Sequence, residues 1–131
     1  MTIAPLNLLY SKEHEWVLHI GENRVRIGIS DYAQKQLGDI VFVENPEIDD
    51  EVTANESMGT IESVKAVSEI YSPLSGTIVR VNDELGDAPE TINESPYDAG
   101  WLVEIEMTNS EELDELLNDE EYQEFINEGE E

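Results

Sequence analysis

Only three lysines, Lys12, Lys35 and Lys65, occur among the 131 residues. Lys65 lies in the run Gly59-Thr60-Ile61-Glu62-Ser63-Val64-Lys65-Ala66-Val67-Ser68-Glu69-Ile70-Tyr71-Ser72-Pro73-Leu74-Ser75-Gly76, which can close as a hairpin with the lysine near its tip. A lysine amine can become an amide, which a guanidinium does not offer under the same chemistry. An enzyme that acylates a lysine needs the amine exposed, unpaired and held in fixed geometry, and a tight turn between two strands supplies that. On the residues alone a second reading stays open, in which Lys65 is a solvated cation at a turn.

Other constellations reduce to structure. There is no cysteine, so disulfides, thiolate metal sites and thiol nucleophiles are excluded. His14 and His19 lack the HExxH spacing of a zinc site. In Asn82-Asp83-Glu84-Leu85-Gly86-Asp87, Leu85 takes what would be a ligand position of a calcium loop. Ser63, Ser68 and Ser75 have no histidine at a diagnostic distance, and Trp16 and Trp101 read as packing residues. No nucleophile, base and orienter set is visible, so a non-catalytic role is expected.

The elements that must position Lys65 read as strands. Val25, Ile27 and Ile29 alternate with Arg24 and Arg26, and Val103, Ile105 and Met107 with Glu104 and Glu106, so the acids of the second set should point outward. Ile40-Val41-Phe42-Val43 is all apolar and predicts a strand covered on both faces. Thr77 to Val81 continues the strand pattern. Turn signals at 21–23, 45–47, 72–73, 82–83 and 95–96 separate these segments. The expected fold is mainly β with short helices, a sandwich or partly open barrel. Asp31 should cap a short helix running to Leu37 and stopped by Gly38. From Ser110 the period changes. Leu113, Leu116 and Leu117 form one stripe and Tyr122, Phe125 and Ile126 another, with Asn118-Asp119 breaking and capping between them. These helices, over 110–128, should fold back on the sheet within one domain spanning 1–131, the final Gly129-Glu130-Glu131 frayed.

Thirty-two acids face six Lys and Arg, for a formal charge of −26. Such a chain opposes binding to a phosphate backbone or an anionic membrane, because both draw on cationic side chains. Two readings stand, a solvated surface that resists aggregation, or a host of high internal salt that screens self-repulsion. The first ten residues lack the basic flank and apolar core of a secretion signal and are not Arg-rich. No apolar run approaches the roughly 20 residues that span a bilayer. A soluble protein of a prokaryotic cytoplasm is expected, acting as a monomer.

The string Glu62-Ser63-Val64-Lys65-Ala66-Val67-Ser68 followed by Ser72-Pro73-Leu74-Ser75-Gly76 resembles the lipoylation hairpin of the glycine cleavage H proteins. The resemblance extends in order through His14-Glu15-Trp16-Val17, Gly28 to Gln34, Leu37 to Val43, Asn93 to Tyr97 and Gly100-Trp101-Leu102, and more loosely through the C-terminal helical stretch. Biotin carrier domains, which share the fold type, place methionines on both sides of their lysine, where this chain has Val64 and Ala66. Lipoyl domains of 2-oxo-acid dehydrogenases typically place Asp before theirs.

The resemblance implies a lipoyl/biotinyl-type barrel-sandwich hybrid carrying lipoate as an amide at Lys65. It implies a carrier that takes an aminomethyl group from a glycine decarboxylase using pyridoxal phosphate and yields it to an aminomethyltransferase using tetrahydrofolate. A dihydrolipoamide dehydrogenase using FAD then reoxidises the arm. A lipoate-attaching enzyme would be a fourth partner, reading Glu62 and Gly76; Gly76 could equally be a turn glycine of positive φ. Glu15, Ile29, Ser68 and Glu69 could form a cleft holding the arm, although in so acidic a chain any one glutamate could be a solvated surface group. Two other readings remain, an H-like protein serving mainly as a lipoate relay, and an unmodified acidic binding module.

Overall fold

The computed structural model describes residues 8–129. The leader reading of the first residues, and the last two residues of the tail expected to fray, lie outside them. Among the described residues nine strands form two sheets. Strands β1 (Leu9–Tyr10), β2 (Glu15–His19), β3 (Arg24–Ile29), β5 (Glu51–Val52), β8 (Gly76–Val81) and β9 (Val103–Met107) make a six-stranded sheet in the order β1-β2-β3-β9-β8-β5. Strands β4 (Ile40–Glu44), β6 (Ser57–Ser63) and β7 (Val67–Tyr71) make a three-stranded sheet in the order β4-β6-β7. All pairings are antiparallel. Between the sheets lies an aliphatic core that includes Val25, Ile27, Ile61, Ile70, Ile78, Val103 and Ile105. The period-2 reading of β3 and β9 is met here, because alternate residues of a strand face opposite sides.

Three expectations give way. Glu104 points away from the core, on the face of Arg26, yet it is buried rather than solvated, because Arg26 and Arg80 both bond its Oε2, at 2.8 and 3.2 Å. Arg26 and Arg80 also lie over the Trp101 ring. Val41 and Phe42 are exposed, because a register shift between Ile40 and Phe42 leaves only Ile40 and Val43 on the core side. The helix α1 (Asp31–Leu37) is capped by Ser30, whose Oγ accepts the Ala33 N–H, with Asp31 as its first residue. Gly38 does end it, at φ 81°, a conformation that suits glycine.

Helix α2 (Thr91–Glu94) sits against α1. The C-terminal segment forms a 3-10 turn over Ser110–Glu115 and the helix α3 (Asp119–Gly129). Asn118 Oδ1 accepts from the Glu121 N–H while Glu121 Oε1 accepts from the Asn118 N–H, a reciprocal capping box. Helix α3 closes a second, aromatic cluster of Tyr10, Trp16 and Tyr122 with Leu8 and Ile126. Tyr10 and Tyr122 stack at 4.2 Å. Among the described residues no helix is long and apolar enough to cross a membrane.

Candidate functional site: the Lys65 hairpin and its cleft

Strands β6 and β7 pair from Ser57↔Tyr71 to Glu62↔Val67, which leaves Val64, Lys65 and Ala66 at the tip. Ser63 organises that tip. Its N–H donates to the Ala66 carbonyl at 2.8 Å, and its Oγ accepts the N–H groups of Lys65 and Ala66 at 3.2 and 3.1 Å. The Val64 N–H donates to the Asp39 carbonyl at 3.0 Å, tying the tip to the corner after α1. Asn93 braces that corner, with Nδ2 donating to the Gly38 carbonyl and Oδ1 accepting the Ile40 N–H. The Lys65 side chain is exposed and crosses Gly38, where an added Cβ would meet its Cε at 3.1 Å. Nζ comes to 3.5 Å from the Gln36 carbonyl.

Gln36 is also on the lip of a cleft of about 260 Å³ between α1, β2 and β7. Its walls include all four residues that sequence suggested, Glu15, Ile29, Ser68 and Glu69. Apolar lining comes from Ile29, Leu37, Ile61 and Ile70. Glu15 is buried, its carboxylate accepting from Ser11 Oγ at 2.6 Å and from the Tyr71 N–H at 3.2 Å. Burial pushes its carboxyl up to about 8, against the opposing pull of the Ser11 and Tyr71 bonds. Of the other suggested positions, Glu62 is half-buried on the outer face of the three-stranded sheet. Gly76 lies in the other sheet, paired with Val52 and Met107. It has no positive φ, so the turn reading fails; a Cβ there would collide with the Glu106 carbonyl.

Sequence reasoning missed His14, Tyr32 and Gln36 in the cleft wall. His14 has φ 70° and its Nδ1 lies 2.8 Å from the Tyr122 hydroxyl, which lies 2.7 Å from Ser30 Oγ. Because Ser30 Oγ already accepts from Ala33, its own proton suits Tyr122, and the Tyr122 proton then suits His14 Nδ1. Burial lowers the His14 pKa and raises that of Tyr122, which favours the neutral form of each. The only sequence signal was adjacency of His14 to Glu15; its partner is 108 residues away.

An exposed lysine on a braced hairpin, opening on a cleft with an apolar floor and carboxylates, within two antiparallel sheets, defines a swinging-arm carrier domain of the lipoyl type. The sequence profile of the glycine cleavage H-protein family matches residues 8–129. The glycine cleavage system H protein of Geobacillus kaustophilus (strain HTA426) is 59% identical over 126 residues, 96% of this chain and 98% of that one. That of Halalkalibacterium halodurans is 53% identical over 128 residues, 98% and 99% of the two chains. The crystal structure of the H protein from Mycobacterium marinum superposes with a TM-score of 0.81 at 36% identity, covering 97% of this chain and 99% of that one. This chain belongs to the glycine cleavage H-protein family. It has the family's role, a lipoyl carrier of the glycine cleavage system and not itself a catalyst.

Proposed function

We propose that Lys65 is the lipoyl attachment point and that the adjoining cleft holds the loaded arm. One observation carries this reading: the only lysine on the hairpin tip places its amine at the lip of the cleft that Glu15, Ile29, Ser68 and Glu69 line. The residues suit the group. An amide at Nζ removes a charge whose partner among the described residues is the Gln36 carbonyl at 3.5 Å, and an alkyl chain matches Ile29, Leu37, Ile61 and Ile70. When bound, lipoate supplies a reversible disulfide–dithiol pair able to take up and surrender an aminomethyl group.

The chain's own contribution is presentation and shielding. The Ser63 and Asp39 bonds fix the tip, and the apolar wall excludes water from whatever rests on it. A cationic arm end beside Glu15 would draw its carboxyl into the ionised form, giving a charge-assisted hydrogen bond worth about 1.5–3 kcal/mol. Ser68 and Glu69 offer further polar contacts at the cleft's edge. The partners in this reading are the pyridoxal phosphate glycine decarboxylase, the tetrahydrofolate aminomethyltransferase and the FAD-dependent dihydrolipoamide dehydrogenase. A lipoate-attaching enzyme reads Glu62, with Gly76 contributing by letting β8 approach β9. The relatives are bacterial, and a prokaryotic cytoplasm is the compartment proposed.

Incubation with a lipoate ligase, lipoate and ATP should add one lipoyl group, mapped by peptide mass to Lys65. Lys65→Arg should keep the fold, because an exposed tip residue contributes little, yet accept no lipoate and support no bicarbonate–glycine exchange with the pyridoxal enzyme. Modification at Lys12 or Lys35 with Lys65 bare, or exchange retained in the variant, would refute the assignment.

A further inference from the structure

Among the described residues, helix α3 gives none to the lining of the cleft, yet one of its side chains reaches the cleft wall. Tyr122 is buried with its ring stacked on Tyr10. Its hydroxyl stands between His14, just before β2, and Ser30, the cap of α1, at 2.8 Å from Nδ1 of the one and 2.7 Å from Oγ of the other. The Ser30 N–H donates to the His14 carbonyl at 2.9 Å and closes the circle of contacts. Both of the elements so joined line the cleft, through His14 and Glu15 on the first and Tyr32, Ala33, Gln36 and Leu37 on the second. A single hydroxyl, far away in the chain, therefore ties together two parts of the wall.

His14 needs such support. Its backbone is left-handed, at φ 70°, which residues other than glycine adopt only where the surroundings over-determine it. The imidazole is held by the Tyr122 bond and by the rings of Tyr32 at 5.0 Å and Phe125 at 5.8 Å. Two of those three groups, Tyr122 and Phe125, belong to α3. With the Tyr122 proton on the side of Nδ1, the imidazole carries its own proton on Nε2. A ring in that tautomer is uncharged and does not compete with a cationic arm end for the neighbouring Glu15. Without the hydroxyl, neither the tautomer nor the ring's orientation is fixed by a directional bond at Nδ1.

We propose that the Tyr122 hydroxyl is a positioning group for the carrier's reaction: by pinning the His14 ring in the wall beside Glu15, it gives α3 control over how long the loaded arm resists water. The proposal rests on the cleft being where the loaded arm lies. Spontaneous loss of the aminomethyl group is a hydrolysis. Water cleaves its bond to sulfur, returning the thiol with formaldehyde and ammonium, and no electrons are exchanged with another reagent. The rate follows how often water gains access to the arm. A missing clasp can pass on no more than the net worth of one buried hydrogen bond, which corresponds to about fivefold in that rate.

The test uses the full chain and two readouts. The first is nitrogen NMR of the unmodified protein with labelled histidine, which reports two rings, His14 and His19. At neutral pH the His14 ring should show the Nε2–H tautomer. Tyr122→Phe keeps an aromatic ring against Tyr10 and should turn that signal into a mixture of tautomers, with His19 unmoved. The second readout is intact mass over time of the lipoylated chain loaded by the pyridoxal enzyme and glycine. Tyr122→Phe should lose the group about fivefold faster. Asn118→Ala takes the cap from α3 and leaves the hydroxyl in place, so it should lower the melting temperature yet lose the group at the wild-type rate. An unchanged rate in a Tyr122→Phe chain with wild-type circular dichroism overturns the proposal, as does an equal acceleration in Asn118→Ala, which would reduce α3 to a structural part. An Nδ1-protonated His14 in the wild-type chain overturns it without any variant. A wild-type carrier that loses the group no more slowly when folded than when unfolded in urea would instead overturn the cleft reading on which the proposal rests.

Discussion

Replacing Glu15 with Gln should stabilise the protein at pH 8 and leave it nearly unchanged at pH 5. Glu15 is buried with its oxygens on Ser11 and Tyr71, and burial lifts its carboxyl from an ordinary value near 4.5 to about 8. Below about 4.5 the native and unfolded chains both hold the proton and the residue is neutral in the balance. Between those two pH values the unfolded chain has lost its proton while the native one keeps it, so native stability falls as pH rises. Above about 8 both are ionised and the full cost is present. At 1.36 kcal/mol per pH unit that cost is on the order of 4 kcal/mol, reduced by relaxation of the site. Gln keeps the shape and an acceptor for the Tyr71 N–H, and it does not ionise. The assay is urea unfolding of both chains at pH 5, 6, 7 and 8 at fixed ionic strength. The other acids titrate in both chains, so the difference isolates Glu15. A difference that stays flat from pH 5 to 8 would refute the argument that burial dominates this carboxyl. In the aminomethyl-loaded carrier the same substitution should shorten retention of the group about tenfold, because a neutral amide forfeits the charge-assisted bond.

Gly28→Ala should cost about 1–3 kcal/mol in urea unfolding, because the new Cβ would sit 2.6 Å from the Trp16 ring, which is held by its bond to the Pro96 carbonyl. Potassium chloride should raise the melting temperature by several degrees as the Debye length falls from about 10 Å at 0.1 M to about 3 Å at 1 M. A rise with sulfate alone would point to surface exclusion, and a flat response to potassium chloride would show that the 32 acids already tolerate one another.

What was legible in the sequence was what depends on near neighbours. The alternation in Val25, Ile27 and Ile29 and the hairpin around Lys65 are local patterns, and the strands follow them. The cap expected at Asn118-Asp119 is local too, and Asn118 supplies it. Glu104 was misjudged because its environment comes from Arg26 and Arg80, on two other strands. Val41 and Phe42 were misjudged because a register shift against β6, invisible in a run of apolar letters, turned them outward. In the cleft, Glu15, Ile29, Ser68 and Glu69 were reached through family resemblance, whereas His14 and Tyr122 meet only once the chain has folded.

The bond between His14 and Tyr122 also sets a timetable. The lysine hairpin pairs residues within 57–71 and closes over a short loop. The sheet behind the cleft needs β9 to join β3, and the cleft wall needs Tyr122 to reach His14 and Ser30. Local pairings form quickly, while distant ones wait on loop closure. On a ribosome, which delivers the chain in order, the tip that is to be modified therefore takes shape well before the shelter for its cargo does. A carrier interrupted short of Tyr122 could still display its lysine, but it would be a hook without a sheath.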